Sequence, residues 1–468
     1  MAFLGLSVVM PNVKFFYLWS VMYLLSIGFL TRSWEKVVVY GYLPLSVYFV
    51  GQLYVFRFIQ PWEINNFLFP DGRSDFFKLT PLLIFSMAIT SSFLVKLIVD
   101  KVKSWWLVNM LLLIMFLNII RLLVNNSFLP WWINMARFFE DLGLVIWIWW
   151  TGDYLSRINK KQKEIFWEYL RKTIKIVLII TSTLVLIQGI KGSPLGLVVE
   201  QSNTFPYFGV DTNELGAVPR PIGLMGDANN QGFRILTVLA AWVLLYVVAG
   251  GIDWKKQRWL VLPILAIIWL QSRAVYLGFF VLVLWWGYYG GFESIRKIKL
   301  GKWAWSFMTL IIIFVTVVLG VRFLGSVSTL GGNSGWETRL NLLKVSSRLI
   351  SHYFLVGVGK GNFTEVAFRE DLTGFMRTFP WPVHNGFILI LVEQGISGLL
   401  LWVGLLSLLI YKLIKNNRYS LKIKSLVLSA IVAQFIVMFF QPFPEILNWL
   451  VIVAVLLLDD DKTDVKKA

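Results

Sequence analysis

The chain has 468 residues, 57% of them hydrophobic and only 15% charged, with a mean hydropathy of +0.70; this excludes an ordinary soluble domain, in which apolar usage is nearer half. A net charge of +18 would suggest nucleic acid in a soluble protein, but here Lys and Arg cluster between apolar runs, as in the cytoplasmic loops of membrane proteins, so no nucleic-acid partner is expected. The absence of cysteine excludes disulfides, thiolate metal sites and cysteine nucleophiles.

In chain order the apolar runs fall near 15–31, 37–58, 79–98, 105–124, 141–156, 174–190, 231–250, 303–321, 386–411, 425–441 and 444–458. Each approaches the roughly 17 to 25 residues that cross a bilayer as a helix. With a pair of shorter runs described below, they predict an all-α, polytopic transmembrane bundle of about 12–13 spans. The first run has no small-residue cleavage pattern after it and is read as a retained anchor. Residues 157–176 carry Arg157, Lys160, Lys161, Lys163, Arg171, Lys172 and Lys175 against Glu164 and Glu168, the strongest cytoplasmic signal in the chain. Counting onward, the basic clusters 254–258, 294–302 and 412–424 all fall on the cytoplasmic side, and 191–230 and 322–385 fall outside. Counting backward by strict alternation puts the N-terminus outside, unless a run such as 129–156 is irregular or re-entrant; both parities stay open.

The segment 259–290 has basic clusters at both ends and must therefore cross an even number of times. It is expected to be a hairpin of Trp259 to Gln271 and Ala274 to Gly290. Each arm is barely long enough to span, so the turn Gln271-Ser272-Arg273 should lie at or below the outer surface, where an arginine is costly without an anionic partner. The two long outer loops exceed the roughly 12 to 15 residues of ordinary connections. Their Gly, Pro and aromatic residues, and an amphipathic stretch over Glu337 to Ile350, predict ordered lids over a site. The expected organisation is N-terminal transmembrane helices over 1–176, a catalytic transmembrane half over 177–458 with loops 191–230 and 322–385, and a cytoplasmic tail over 459–468.

Among residues able to carry chemistry, His384 is one of two histidines and directly precedes the run 386–411, at an outer helix mouth. On a continuous helix, at about 100° and 1.5 Å per residue, Gly395 and Gly398 would share its face about 16 and 21 Å deeper, forming a small-residue seam for a neighbouring helix. From spacing alone, an interfacial histidine with a satisfied hydrogen bond is the simpler reading. Arg220, in Pro219-Arg220-Pro221-Ile222-Gly223, Arg273 in the hairpin turn and Arg339 in the second long loop lie in three separate outer segments. Guanidinium forks bind phosphate oxygens bidentately and stay charged, so their convergence would make a diphosphate clamp. Taken singly, Arg220 and Arg339 are as readily surface or snorkelling arginines.

Gly357-Val358-Gly359-Lys360-Gly361 is similar to a phosphate loop, but no Ser or Thr follows the lysine, and it is read as a turn. Glu393 is an ionisable group in an apolar helix; it is expected on the face opposite His384, in a buried hydrogen bond to a neighbouring helix. His352 and the acidic tail Asp459-Asp460-Asp461 have no partners at metal-ligand spacing. No metal or cofactor is expected, with Asp227 kept as a lesser candidate ligand.

His384-Asn385, nine residues, then Gly395-Ile396-Ser397-Gly398 resembles the H-[NSQ]-x9-G-x-x-G pattern of bacterial O-antigen ligases, and follows a long outer loop as it does there. The turn Gly357 to Phe363, Ser272-Arg273 at a short hairpin, and Arg220 ahead of an Asn-bearing segment also resemble that superfamily, which includes O-antigen polymerases. Ser272-Arg273-Ala274 departs from the pattern, in which a glycine more often follows the arginine. The resemblance covers roughly 200–460. It implies an inner-membrane enzyme with its site facing the periplasm, where a glycan leaves undecaprenyl diphosphate for an acceptor hydroxyl. By the same resemblance Arg220, Arg273 and Arg339 hold the diphosphate and His384 activates the acceptor. Asn385, Asn230, Asp227 and Lys360 are the candidate substrate contacts. The implied partners are the undecaprenyl-diphosphate-linked glycan, membrane lipids, and either lipid A-core, for a ligase, or a second lipid-linked glycan, for a polymerase. A transporter or flippase of lipid-linked sugars would instead place polar residues near the midplane, whereas the ionisable residues here gather in outer loops.

Overall fold

The computed structural model describes residues 13–47, 53–57, 76–79, 81–99, 131–193, 195–197, 221–224, 228–248, 254–286, 335–360, 362–378, 382–415 and 420–440, with Leu6. The expected spans 105–124, 303–321 and 444–458 and most of loop 191–230 lie outside the described residues. The helices are α1 (Val13–Thr31), α2 (Trp34–Val47), α3 (Pro81–Val99), α4 (Trp131–Arg157), α5 (Lys160–Lys191), α6 (Ala228–Val248), α7 (Val261–Leu270), α8 (Arg273–Trp286), α9 (Gly335–Tyr353), α10 (Phe363–Glu370), α11 (Phe375–Thr378), α12 (Gly386–Lys415) and α13 (Leu421–Phe440). A 3-10 turn, Trp254–Leu260, leads into α7. The fold is that of an all-α membrane protein. Helix α5, Ala228–Val247 of α6 and α12 are long and apolar enough to cross a membrane, and shorter apolar helices such as Phe15–Thr31 and Ile423–Phe439 accompany them.

One expected span is divided. Of the run 37–58, the part to Val47 belongs to α2 and Leu53–Arg57 forms a strand, β1, paired antiparallel with β2 (Phe76–Leu79) in the register Leu53 to Leu79. Hydropathy alone does not separate a short apolar strand from helix. By contrast, α4 runs without a break through most of 129–156, the run considered as irregular.

Local chemistry explains the long α5. Asn159 accepts from the backbone N–H of Gln162 at 2.9 Å while the Gln162 side chain accepts from the backbone N–H of Asn159 at 3.3 Å, a reciprocal cap. At the other end Gly192 takes φ +70° and donates to the Gln188 carbonyl, closing the helix as a left-handed cap. Its 32 residues extend about 48 Å against a hydrocarbon thickness of about 30 Å, so its basic first turns project beyond the apolar layer.

In the N-terminal half, α3 and α4 approach closely: a Cβ on Gly143 would lie 2.3 Å from Ser86 Oγ. Fully buried Trp147 stacks on Tyr42 at 5.5 Å and donates from Nε1 to the Val39 carbonyl at 3.2 Å. Between lipid-embedded helices such contact packing supplies the stabilisation that water would otherwise drive. Glu35 pairs with Arg157, which sets the α1–α2 turn at the same end of the bundle as the basic start of α5 and Val13 toward the other. A second, smaller core lies away from the main one. Leu342 and Leu349 of α9, Phe363 and Ala367 of α10, Met376 of α11 and Val392 of α12 close together there as an outer subdomain, and α9 is amphipathic as its sequence predicts.

Candidate functional site

Close contacts fix which helix ends share a side. A Cβ on Gly232, early in α6, would sit 2.9 Å from Val275 in the first turn of α8. One on Gly278 would meet Val437 and the Ala433 carbonyl of α13 at 2.9 and 3.1 Å, and Leu236 of α6 at 3.1 Å. The starts of α6 and α8 therefore meet the last turns of α13. Asn385, just before α12, donates to the Phe439 carbonyl at 3.1 Å, adding the start of α12 to the group. At the opposite end Arg171 lies 5.7 Å over the Tyr246 ring, Lys175 lies 5.3 Å over Trp259, and Lys424 donates to the Ile414 carbonyl at 2.6 Å. One end of the bundle is rich in lysine and arginine clusters. The other gathers Arg273, His384 and Asn230.

The expected hairpin is present. Helix α7 ends on Gln271 in the left-handed region (φ +50°), Ser272 is buried, and Arg273 opens α8. The Tyr276 hydroxyl donates to the Ile268 carbonyl across the turn. The described parts of these two helices have 10 and 14 residues. Arg339, in the first turns of α9, is brought to this turn. Partial enclosure, and then the nearby Arg273 charge, hold its guanidinium below its ordinary pKa. Both side chains are solvent-accessible. Among the described residues Arg339 has no carboxylate partner within salt-bridge distance.

The segment carrying His384 is shaped by a break in α12. Gly395 adopts φ +64°, ψ −176°, a region open essentially to glycine alone. The exposed carbonyls are taken by the upstream turn: Val358 N–H donates to Val392 O at 2.9 Å and Gly359 N–H to Glu393 O at 2.8 Å. In return Ile396 N–H donates to Phe354 O at 2.8 Å and Ser397 N–H, weakly, to Leu355 O at 3.4 Å. The described part of the glycine-rich segment, Gly357 to Lys360, is thus a turn, as its sequence suggests, and the N–H groups of Val358 and Gly359 serve this clasp rather than a phosphate. Lys360 on it is exposed. Glu393 is buried and its carboxylate accepts from the Phe363 N–H at 3.4 Å at the start of α10, the neighbouring-helix bond expected of it.

The break corrects the seam inferred for Gly395 and Gly398, which assumed one continuous helix. From Ile414 to Asn385 a straight α12 would extend about 43 Å, whereas α13 covers only about 22 Å from Lys424 to Phe439. Because α12 changes course at Gly395, His384 sits beside the last turn of α13 and not far beyond it. Asn385 makes the start of α12: its Oδ1 accepts from the N–H groups of Phe387 and Ile388 at 3.1 and 3.0 Å. With Nδ2 bonded to Phe439, this side chain positions His384, whose ring is half-buried with Nδ1 sealed from solvent.

Sequence reasoning missed Gln188 and Gln231, both fully buried. Gln188 accepts from Gly223 N–H at 2.8 Å and donates to Gly223 O at 3.3 Å, while Gln231 accepts from Leu224 N–H at 2.9 Å. They hold the turn that ends the first long loop against α5 and α6. A glutamine within an otherwise apolar helix was the available signal. Arg220 and Asp227 lie outside the described residues; Asn230 is in the first turn of α6 and half-buried. Among the described residues no group of three or more His, Asp or Glu could hold a metal.

These features define a helical membrane protein in which the end opposite the lysine-rich one carries an arginine at a hairpin turn, a second arginine near it, and a histidine on a broken helix. Residues 259–403, just under a third of the chain, match the sequence model of a family described as O-antigen ligase, which supports placing the chain in the O-antigen ligase/polymerase superfamily of membrane glycosyltransferase-like enzymes. The matched stretch includes Arg273, Arg339, Lys360, His384 and Gly395 but not Arg220, Asp227 or Asn230. No curated protein matches the chain.

Proposed function

We propose that the protein is an inverting glycosyltransferase of the bacterial inner membrane, its site facing the periplasm, that moves a glycan from undecaprenyl diphosphate to an acceptor hydroxyl. The observation that carries this reading is that Arg273, with Arg339 near it, lies at the bundle end that also bears His384. The orientation rests on the opposite end holding Arg171, Lys175, Lys415 and Lys424, the side that stays cytoplasmic. In the reaction His384 accepts the proton of the acceptor hydroxyl as its oxygen attacks the anomeric carbon. The new C–O bond forms as the bond to the diphosphate oxygen breaks, and the leaving diphosphate takes the electron pair. Arg273 and Arg339, with Arg220, stabilise that developing charge, which fixed cations do most effectively in a site shielded from bulk water. An unperturbed imidazole titrates near pH 6.5, and a neutral histidine beside arginines is the base-competent form. Asn230, Asp227 and Lys360 are proposed to contact the glycan or diphosphate, and the catalytic unit to lie within 177–458.

The acceptor is proposed to be lipid A-core, making the protein a ligase; the alternative is a polymerase that joins lipid-linked repeat units. Purified protein given lipid-linked repeat units with and without lipid A-core decides. Product only with lipid A-core supports the ligase; chain growth without it replaces ligase by polymerase. No transfer in either arm, with bound donor recovered intact on the opposite side of a vesicle, would favour a flippase and overturn the reading.

A further inference from the structure

We propose that the turn Phe354-Leu355 is a membrane anchor that seats the outer subdomain on the lipid of the outer leaflet. The proposal rests on α12 crossing the bilayer and is independent of glycosyl transfer. Phe354 and Leu355 are 47% and 68% exposed, an unusual exposure for two adjacent large apolar residues in a subdomain with its own closed core. Their height is set by the clasp to Ile396 and Ser397, just past the break in α12. From Gly395 to Lys415 the helix extends about 30 Å, the hydrocarbon thickness of a bilayer. Lys412 and Lys415 stand at its far end.

The face of α12 below the turn supports the same placement. Leu400, Val403, Tyr411 and Ile414 are all at least half exposed and, with exposed Ser407 between them, mark every third or fourth residue, while Trp402, Leu406 and Leu413 on the other side are buried. This is a lipid-facing stripe, and the turn continues it upward. Part of the turn's backbone is already bonded, which lowers the cost of contact with lipid, where an unsatisfied polar group is costly. The carbonyls of Phe354 and Leu355 and the N–H groups of Gly357, Val358 and Gly359 all have backbone partners. Leu372, 84% exposed, offers a contrast. It sits in a polar turn beside Asp371 and Thr373, whose side chains bond each other and the local backbone, with no link to a spanning helix.

Because the chain has no cysteine, single nitroxide labels report depth directly. Leu355→Cys, Leu400→Cys and Leu372→Cys, each spin-labelled, are placed in phosphatidylethanolamine–phosphatidylglycerol vesicles free of polyprenyl lipid, and collision with oxygen is compared with collision with a water-soluble nickel chelate. The expected result is that position 355 behaves as position 400 does, favouring oxygen, while position 372 favours the chelate. A label at 355 that favours the chelate overturns the anchor in favour of a water-exposed turn. A label shielded from both reagents overturns it in favour of cover by protein, a second copy included. Phe354→Cys repeats the measurement should Leu355→Cys not fold, and failure of the Leu400 control would refute the reading of α12 itself.

Discussion

Replacement of Gly395 by alanine separates the broken helix from a continuous one by the sign of its effect. In a straight helix, glycine to alanine stabilises by about 0.5–1 kcal/mol, because alanine loses less backbone freedom on folding. At φ +64°, ψ −176° the same change costs about 1–3 kcal/mol in backbone strain. The new Cβ would also fall 2.4 Å from the Leu355 carbonyl oxygen and 2.6 Å from the Val356 nitrogen. Both are backbone atoms held by the clasp, so relief requires opening it. Losing two of its hydrogen bonds adds about 1–3 kcal/mol, for a total near 2–6 kcal/mol. Thermal unfolding of the purified variant in detergent, followed by tryptophan fluorescence, should show a clear loss of stability. Gly357→Ala, whose Cβ would press 2.4–2.5 Å against Glu393 and Gln394 backbone atoms, should do the same. The double variant should cost less than the sum, because both open one clasp. A Gly395→Ala protein as stable as the parent, or more so, would refute the break.

Arg273→Lys keeps the charge but loses the fork, so transfer should fall about 10- to 100-fold, the worth of one charged hydrogen bond; unchanged turnover would make Arg273 a structural residue. Gln188→Leu should destabilise by about 2–4 kcal/mol by stranding the Gly223 N–H and carbonyl. Gln188→Glu should be defective at pH 8 and recover toward pH 5, since only the protonated acid both accepts and donates as the amide does; melting temperatures across that range check this. Asp371 is pushed up by burial but more strongly held down by the Thr373 hydroxyl and the N–H groups of Met376 and Thr373. Because its folded pKa is lowered, its stabilisation is complete above the unfolded value of about 3.9 and is lost as pH falls through the lowered one. The protection of the Thr373 and Met376 amides, exchange being taken relative to its intrinsic rate at each pH, should therefore fall below about pH 4 and stay flat above it.

The hairpin at Gln271-Ser272-Arg273 was legible because basic clusters mark both its ends, and charge placement is a one-dimensional signal. The same holds for the amphipathic period of α9. The clasp was not legible. Two glycines three residues apart look alike whether they pack a seam or break a helix, and what decides is a turn nearly 40 residues upstream whose amides replace the missing helical bonds. The buried pair Gln188 and Gln231 was hidden for the same reason, since their partners Gly223 and Leu224 lie in a connecting loop. The run 37–58 misled because hydropathy registers apolarity and not the period that separates β1 from α2.

The central claim is that His384 is the base at an arginine-lined end that holds a lipid diphosphate. The most direct measurement compares His384→Ala with the parent, both purified and checked for equal melting temperature, for binding of a lipid-linked glycan donor and for its transfer to acceptor. The account predicts donor binding within a few-fold of the parent and transfer reduced about 100-fold or more, the usual scale of a general base. A well-folded His384→Ala protein that transfers at near the parent rate would contradict it.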